Sequence, residues 1–202
     1  MDKYWNFSEL MEHEVEGRDY VIRVRNGNSP FVIIAPHGGK IERGTSKIAD
    51  IIASREHGFY AFEGIKKNNN QHLHITSDRF DEPRAMAVAA RAQTVITIHG
   101  AKGKEQAVYT GGLDEDLEQR IQDALQGAGF NVEHDPSSTR QGKGAANICN
   151  RGRSGKGMQI ELTQGLRQKI FNPPADDLSW TPNEHFHKFV AAVRVVLDSE
   201  ND

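Results

Sequence analysis

Hydrophobic and polar positions change rhythm along the chain, alternating between the two-residue period of strands and the wider spacing of helices. Residues 20–25 alternate apolar with basic side chains, Asn26-Gly27-Asn28 offers a turn, and residues 31–35 are apolar throughout, so the pair reads as a hairpin. In residues 45–55, Ile48, Ala49, Ile51 and Ile52 mark one face of a helix, with Thr45 or Ser46 as its N-cap. Residues 58–62 and 72–76 read as two further strands around the polar turn KKNNNQ. Asp81 is placed to cap a helix with Pro83 in its first turn and an alanine-rich body to Gln93, which runs into a strand at 94–98. A helix over 114–126 stops at Gly127 and Gly129, ahead of a short strand at 130–133. Residues 137–156 are rich in Gly, Asn, Ser and Arg and read as a long functional loop with at most one helical turn. A strand at 157–162 follows, and a C-terminal helix from about 182 to 197 turns Phe186, Phe189, Val190, Val193, Val196 and Leu197 to the core. Strands and helices taking turns in this way predict a layered α/β fold.

Three of the apolar runs end on residues able to hold or serve a metal: FVIIAP runs into His37, TVITI into His99 and GMQI into Glu161. Open α/β sheets build their sites in loops at the carboxyl ends of strands, so the three endings point to one shared site. The 202 residues carry no Pro/Gly/Ser-rich linker and no internal repeat, which predicts one catalytic domain over residues 1–202, with a monomer expected. With 25 basic and 28 acidic residues, net charge −3, there is no general reason to expect nucleic acid or an anionic membrane as partner. The single cysteine, Cys149, rules out an internal disulfide framework and a Cys-rich zinc site, and reads as a buried thiol. The opening MDKYWNFSELMEHEVEG is charged and lacks the apolar region of a signal peptide, and no stretch approaches the roughly 20 apolar residues of a membrane span. Cytoplasmic synthesis is the expectation, with action outside a cell reached by lysis.

Catalytic zinc usually takes three protein ligands from His and Asp/Glu and leaves a fourth position for water. His37, Glu42 and His99 supply such a set: Gly38-Gly39 lets the chain turn so that Glu42 swings back, and Gly100 permits close approach beside His99. In Met158-Gln159-Ile160-Glu161-Leu162, alternation puts Gln159 and Glu161 on one face and the apolar residues on the other. A carboxylate there is costly to bury unless it is paired with an arginine or works as a general base. Tyr109 reads either as a donor to a developing oxyanion or as a strand aromatic. His72 and His74 share a predicted strand face and are expected in structural or solvent-facing roles, His185 and His187 as partly packed, while His13, His57 and His134 have no partner visible in sequence. The glycine-rich stretches match neither a P-loop nor a dinucleotide fingerprint.

The segments APHGGKIERGTS, SDRFDEPRA, VITIHGA and GMQIELTQGLR together resemble the phage-type poly-γ-glutamate hydrolases, small zinc peptidases also found as prophage-derived proteins in bacilli, over about residues 32–167. The resemblance implies a zinc-carboxypeptidase-like fold, a mixed open sheet flanked by helices, and cleavage of γ-glutamyl amide bonds within poly-γ-glutamate. It assigns His37 and Glu42 of HGGKIE and His99 of IHG to Zn2+, and Glu161 of IEL as the base. The chain departs from the carboxypeptidase pattern: its first His and Glu stand five apart rather than three, and Asn150-Arg151 follows the third ligand instead of preceding it. An anionic polymer with a free carboxylate on every unit asks for repeated cationic contacts, best made by Arg. Arg140, Lys143, Arg151, Arg153, Lys156 and Arg167 crowd around the Glu161 strand, Lys40 and Arg43 lie in the His37 to Glu42 turn, and Arg79 and Arg84 flank the Asp81 cap. Of these, Lys40, Arg84, Arg140, Arg151, Arg153 and Arg167, with Tyr109, are the expected substrate contacts. Two other readings remain open from sequence: a metal amidohydrolase for small N-acylglutamates or peptidoglycan γ-linkages, and a non-catalytic polyanion-binding module.

Overall fold

A strand covered on both faces must be apolar on both, and β2 (Phe31–Gly39), β4 (Thr94–Ala101) and β7 (Met158–Thr163), each buried along nearly its whole length, sit at the centre of the sheet for that reason. In the computed structural model, which describes residues 2–135, 137, 140–172 and 180–199, they are joined by β1 (Tyr20–Arg25), β3 (Gly58–Gly64), β5 (Ala107–Gly112) and β6 (Asn131–His134). The seven strands form one mixed sheet in the order β1-β3-β2-β4-β7-β5-β6. β3, β2, β4 and β7 run parallel, whereas β1 is antiparallel to β3 and β5 antiparallel to β7.

Alternation along these strands divides the core into two layers. Ile33, Ala35, Ile96, Ile98, Met158, Ile160 and Leu162 pack against α2 (Thr45–Ala53), α4 (Glu115–Gly127), α5 (Gln164–Ile170) and α6 (Glu184–Asp198). Val32, Ile34, Tyr60, Phe62 and Val95 pack on the other face against α1 (Phe7–Met11), α3 (Pro83–Arg91) and the buried side chains of Leu73, Ile75 and Phe80. Among the described residues no helix is long and apolar enough to cross a membrane.

Two expectations from the pattern fail for identifiable reasons. β1 and β2 are not a hairpin: β3 lies between them, pairing Tyr20 with Gly64 and Arg25 with Phe59. The backbone N–H groups of Asn28 and Ser29 both donate to the Glu56 carbonyl, which carries the chain across the start of β3 instead of back along β1. A side chain on Gly27 would place its Cβ 2.2 Å from the His57 backbone, so only glycine fits this crossing. Residues 72–76 are not a strand either; they link 3₁₀ turns at Asn70–Leu73 and Ser77–Arg79. Leu73 and Ile75 are fully buried, so the alternation reports burial without a neighbouring strand to pair with.

Helix ends differ in detail. α2 starts from Gly44 at φ 93° with no side-chain cap, and Glu82, not Asp81, caps α3 by accepting from the Ala85 N–H; Asp81 instead accepts from the Phe7 N–H. Asp114 caps α4 through the Leu117 N–H, and the described part of the long loop includes a 3₁₀ turn at Ile148–Asn150. β5 and α5 escape the sequence pattern, β5 because its buried Ala-Val-Tyr-Thr-Gly-Gly offers little periodicity.

Candidate metal centre

A one-residue irregularity assembles the site. Ile34 pairs with Thr97, so a regular strand would set His37 on the face opposite His99. Between Ala35 and Gly38 the register of β2 against β3 shifts by one residue, a bulge that turns His37 onto the face of His99. The loop then bends back through hydrogen bonds from the Glu42 N–H to the His37 carbonyl and from the Lys40 N–H to the Gly64 carbonyl, returning Glu42 to the strand ends.

The three side chains converge. His37 Nδ1 and His99 Nδ1 face each other at 3.2 Å; Glu42 Oε1 lies 3.4 Å from the first and Glu42 Oε2 3.8 Å from the second. Two nitrogens each about 2.0–2.1 Å from a tetrahedral zinc stand about 3.3 Å apart, so the spacing of this donor set fits that ion. The His37 Nε2–H donates to the Ile75 carbonyl at 2.7 Å, which leaves the Nδ1 lone pair for a metal, and Glu42 Oε2 is fixed by the Gly100 N–H at 2.8 Å. His37 and His99 are nearly inaccessible to solvent.

Electrostatics within the cluster are uneven. Burial opposes the His37 cation, but the Glu42 charge beside it and the contacts to Glu42 and Ile75 hold its pKa above the ordinary histidine value. His99 falls to about 3, from burial and the His37 and His74 charges, against the pull of Glu42. Glu42 drops to about 2, because His37 and the other imidazoles outweigh its burial. Without metal the cluster thus favours a proton on His37, which an incoming cation must displace. Below the raised His37 pKa zinc affinity should fall by up to about tenfold per pH unit as pH drops from about 6 to 4, read by chelator competition; an affinity flat in pH would remove the proton from His37.

Glu161 lies directly across from His99 on the neighbouring strand, and Tyr109 directly across from Glu161 on the next, so the three form a row on one face of the sheet. Burial first, and the Glu42 charge second, push the Glu161 carboxyl well above the carboxylate range, while Arg140 and Arg167 draw it down. The Tyr109 hydroxyl donates to Glu105 at 3.1 Å.

The expected cationic contacts separate on folding. Arg140 stays near Glu161, its guanidinium paired with the buried carboxylate of Asp135 at 2.9 Å. Arg167 is buried and spans three carbonyls, those of Leu162 (3.2 Å), Arg43 (2.8 Å) and Ala101 (3.1 Å), tying the metal loop to the ends of β4 and β7. A Cβ on Gly100 would come within 2.7 Å of its Cζ. Arg167→Met should lower the unfolding free energy by about 3–5 kcal/mol in urea denaturation, since it strands these acceptors; a wild-type midpoint would contradict the clip. Lys40 lines the cleft and donates to the Lys66 carbonyl at 3.3 Å. Arg84 is held by Glu16 and Glu82 at 2.8–2.9 Å. Arg151 is exposed and reaches the Ala146 carbonyl, while Asn150 is occupied by the loop itself, bonding Gly142, Gly144 and Gly157. The Arg153 N–H pairs with the Ala92 carbonyl before β4, at the opposite end of that strand from His99.

His74 is the neighbour that the strand reading of 72–76 hides. Its ring stacks on His37 at 4.0 Å between centroids, its Nδ1 meets Asp2 at 2.8 Å, and its Nε2 lies 4.0 Å from Glu42 Oε1. The His37 charge and then burial lower its pKa to about 4. Of the other histidines, His72 and His185 are exposed, which corrects the packed role expected of His185; His187 is exposed but sets its ring edge-on against Phe186 at 5.5 Å, and His57 is buried against Ser29, while the His134 side chain lies outside the described residues. Burial raises the Cys149 thiol to about 12. A cleft of about 800 Å³ opens beside the cluster, lined in part by Asp2, Lys40, Glu42, His74, Lys102 and Arg167.

A family model described as poly-gamma-glutamate hydrolase matches residues 4–192. The chain belongs to that family. The UPF0714 protein YndL of Bacillus subtilis (strain 168) is 37% identical over 194 residues, a span of 93% of this chain and 75% of YndL. A structure of a bacteriophage poly-γ-glutamate hydrolase superposes with TM-score 0.90 at 27% identity, covering 99% of this chain and 98% of the other. A zinc-free structure of YndL superposes with TM-score 0.92 at 35% identity over 99% of each chain. The mixed α/β sheet is thus the fold of the family, and the HGGKIE, IHG and IEL motifs fall within the matched residues.

Proposed function

We propose that the protein hydrolyses γ-glutamyl amide bonds of poly-γ-glutamate, with zinc held by His37, Glu42 and His99 and with Glu161 as general base. One observation carries the reading: a buried carboxylate, Glu161, stands in register beside His99 of a three-donor cluster whose spacing fits zinc. Bound zinc supplies an open coordination position, polarises a carbonyl and lowers the pKa of its water to about 7. Glu161 then takes the proton of the attacking water and delivers it to the departing amine. Its raised affinity for a proton strengthens it as an acceptor once ionised, a form that the charge of a bound zinc would favour, and burial keeps bulk water from competing.

Family membership supports hydrolysis of this polymer, and the cleft supports an anionic chain. Of the acidic groups lining the cleft, Glu42 belongs to the donor set and Asp2 is bound by Thr76, His74 and Arg79, while Lys40 and Lys102 add positive charge to the lining. Lys40 and Lys102 suit the free α-carboxylates on either side of the scissile bond, and Arg140, beside Glu161, suits one more. Initial rates on γ-linked and α-linked polyglutamate test the linkage: the γ-polymer should be cut and the α-polymer left intact. Equal rates on both would overturn the specificity, and turnover confined to small N-acylglutamates would favour a plain amidohydrolase.

A further inference from the structure

The metal centre is held from a distance by a residue outside every motif. His37 presents Nδ1 to the cluster only while its Nε2–H is occupied by the Ile75 carbonyl, at 2.7 Å. Ile75 sits in a segment between two 3₁₀ turns that belongs to no strand, so no sheet ladder fixes where that carbonyl points. The residues on either side of it are gripped by one carboxylate. Asp2 Oδ1 lies 2.8 Å from His74 Nδ1, and Asp2 Oδ2 accepts from both the N–H and the hydroxyl of Thr76 at 2.7 Å. Arg79, whose guanidinium lies 4.1 Å over the Trp5 ring, donates to the same oxygen at 2.8 Å. The grip does two things at once: it sets the Ile75 carbonyl that orients His37, and it holds the His74 ring flat against the His37 ring, 28° from parallel.

We propose that Asp2 is a positioning residue of the metal centre, acting through residues 74–76 to fix the orientation of His37. The inference rests on the zinc reading of the His37, Glu42 and His99 cluster. Asp2 is not one of the three metal donors; its effect travels through an outer-shell carbonyl and a stacked imidazole. Loss of outer-shell partners of this kind typically weakens metal binding by about 10–100-fold.

The test uses the full chain and three readouts: zinc affinity by chelator competition, the visible absorption of the Co(II)-substituted protein, and the thermal midpoint of the metal-free protein. Asp2→Ala should weaken zinc binding by about 10–100-fold and change the Co(II) band, which reports ligand geometry. Asp2→Asn, close in shape but unable to accept from every partner, should weaken zinc about tenfold and serves if the alanine variant folds poorly. Wild-type zinc affinity and an unchanged Co(II) spectrum in the folded variants would overturn the proposal, whatever the thermal midpoint does, because a merely structural clip moves only that midpoint. Failure of the wild-type protein to bind zinc at all would be a different result: it would overturn the zinc reading itself, and this inference with it.

Discussion

Glu161→Gln should lower kcat on poly-γ-glutamate by about 10²–10⁴-fold, the usual worth of a positioned general base, while zinc stoichiometry stays at the wild-type value. The substitution keeps the shape of the side chain and removes only its capacity to take a proton. Folding should survive it, because the wild-type carboxyl is already disfavoured as an anion by burial and by Glu42. A neutral amide at that position incurs neither penalty, so the metal-free variant should melt no lower than the parent. Full activity in Glu161→Gln would eliminate the residue as base, and lost zinc would make it a ligand instead.

His99→Ala should weaken zinc binding by more than the about 10–100-fold expected for an outer-shell partner, because it removes one of three direct donors. His99 is buried and favoured neutral, its pKa driven down to about 3, so it can bind a cation near neutral pH without first losing a proton. His37, by contrast, has first to surrender a proton. The two histidines should therefore differ in their pH signatures: the affinity left in His99→Ala should still fall with acid through His37. Elemental analysis together with chelator competition reads the effect, and the thermal midpoint of the metal-free variant separates it from misfolding. Unchanged affinity would remove His99 from the ligand set.

The strand endings at His37, His99 and Glu161 are legible in the sequence because each follows an apolar run long enough to mark a buried strand, and the parallel register then brings His99 and Glu161 together. The bulge that turns His37 to the same face leaves no trace in the alternation, since Ala35, Pro36 and His37 are all buried whether or not the register slips. His74 is hidden for the opposite reason: Leu73 and Ile75 alternate like a strand, although their burial comes from packing under the sheet. Asp2 lies more than seventy residues from the groups it binds, so no local pattern could connect them. Charge is the least legible property. Arg140 and Arg153 share one loop in sequence, yet the first sits beside Glu161 and the second at the far end of β4. Arg84 finds its partner Glu16 sixty-eight positions away.

The chain-length distribution of poly-γ-glutamate, followed by size-exclusion chromatography during incubation with the zinc-loaded protein, the chelator-stripped protein and the stripped protein with zinc restored, decides whether the protein is a zinc-dependent hydrolase of this polymer. Zinc-dependent internal cleavage predicts rapid shortening with the loaded protein, none after stripping, and recovery on restoration. A polymer left at full length by the zinc-loaded protein, or shortened equally by the stripped one, would contradict it.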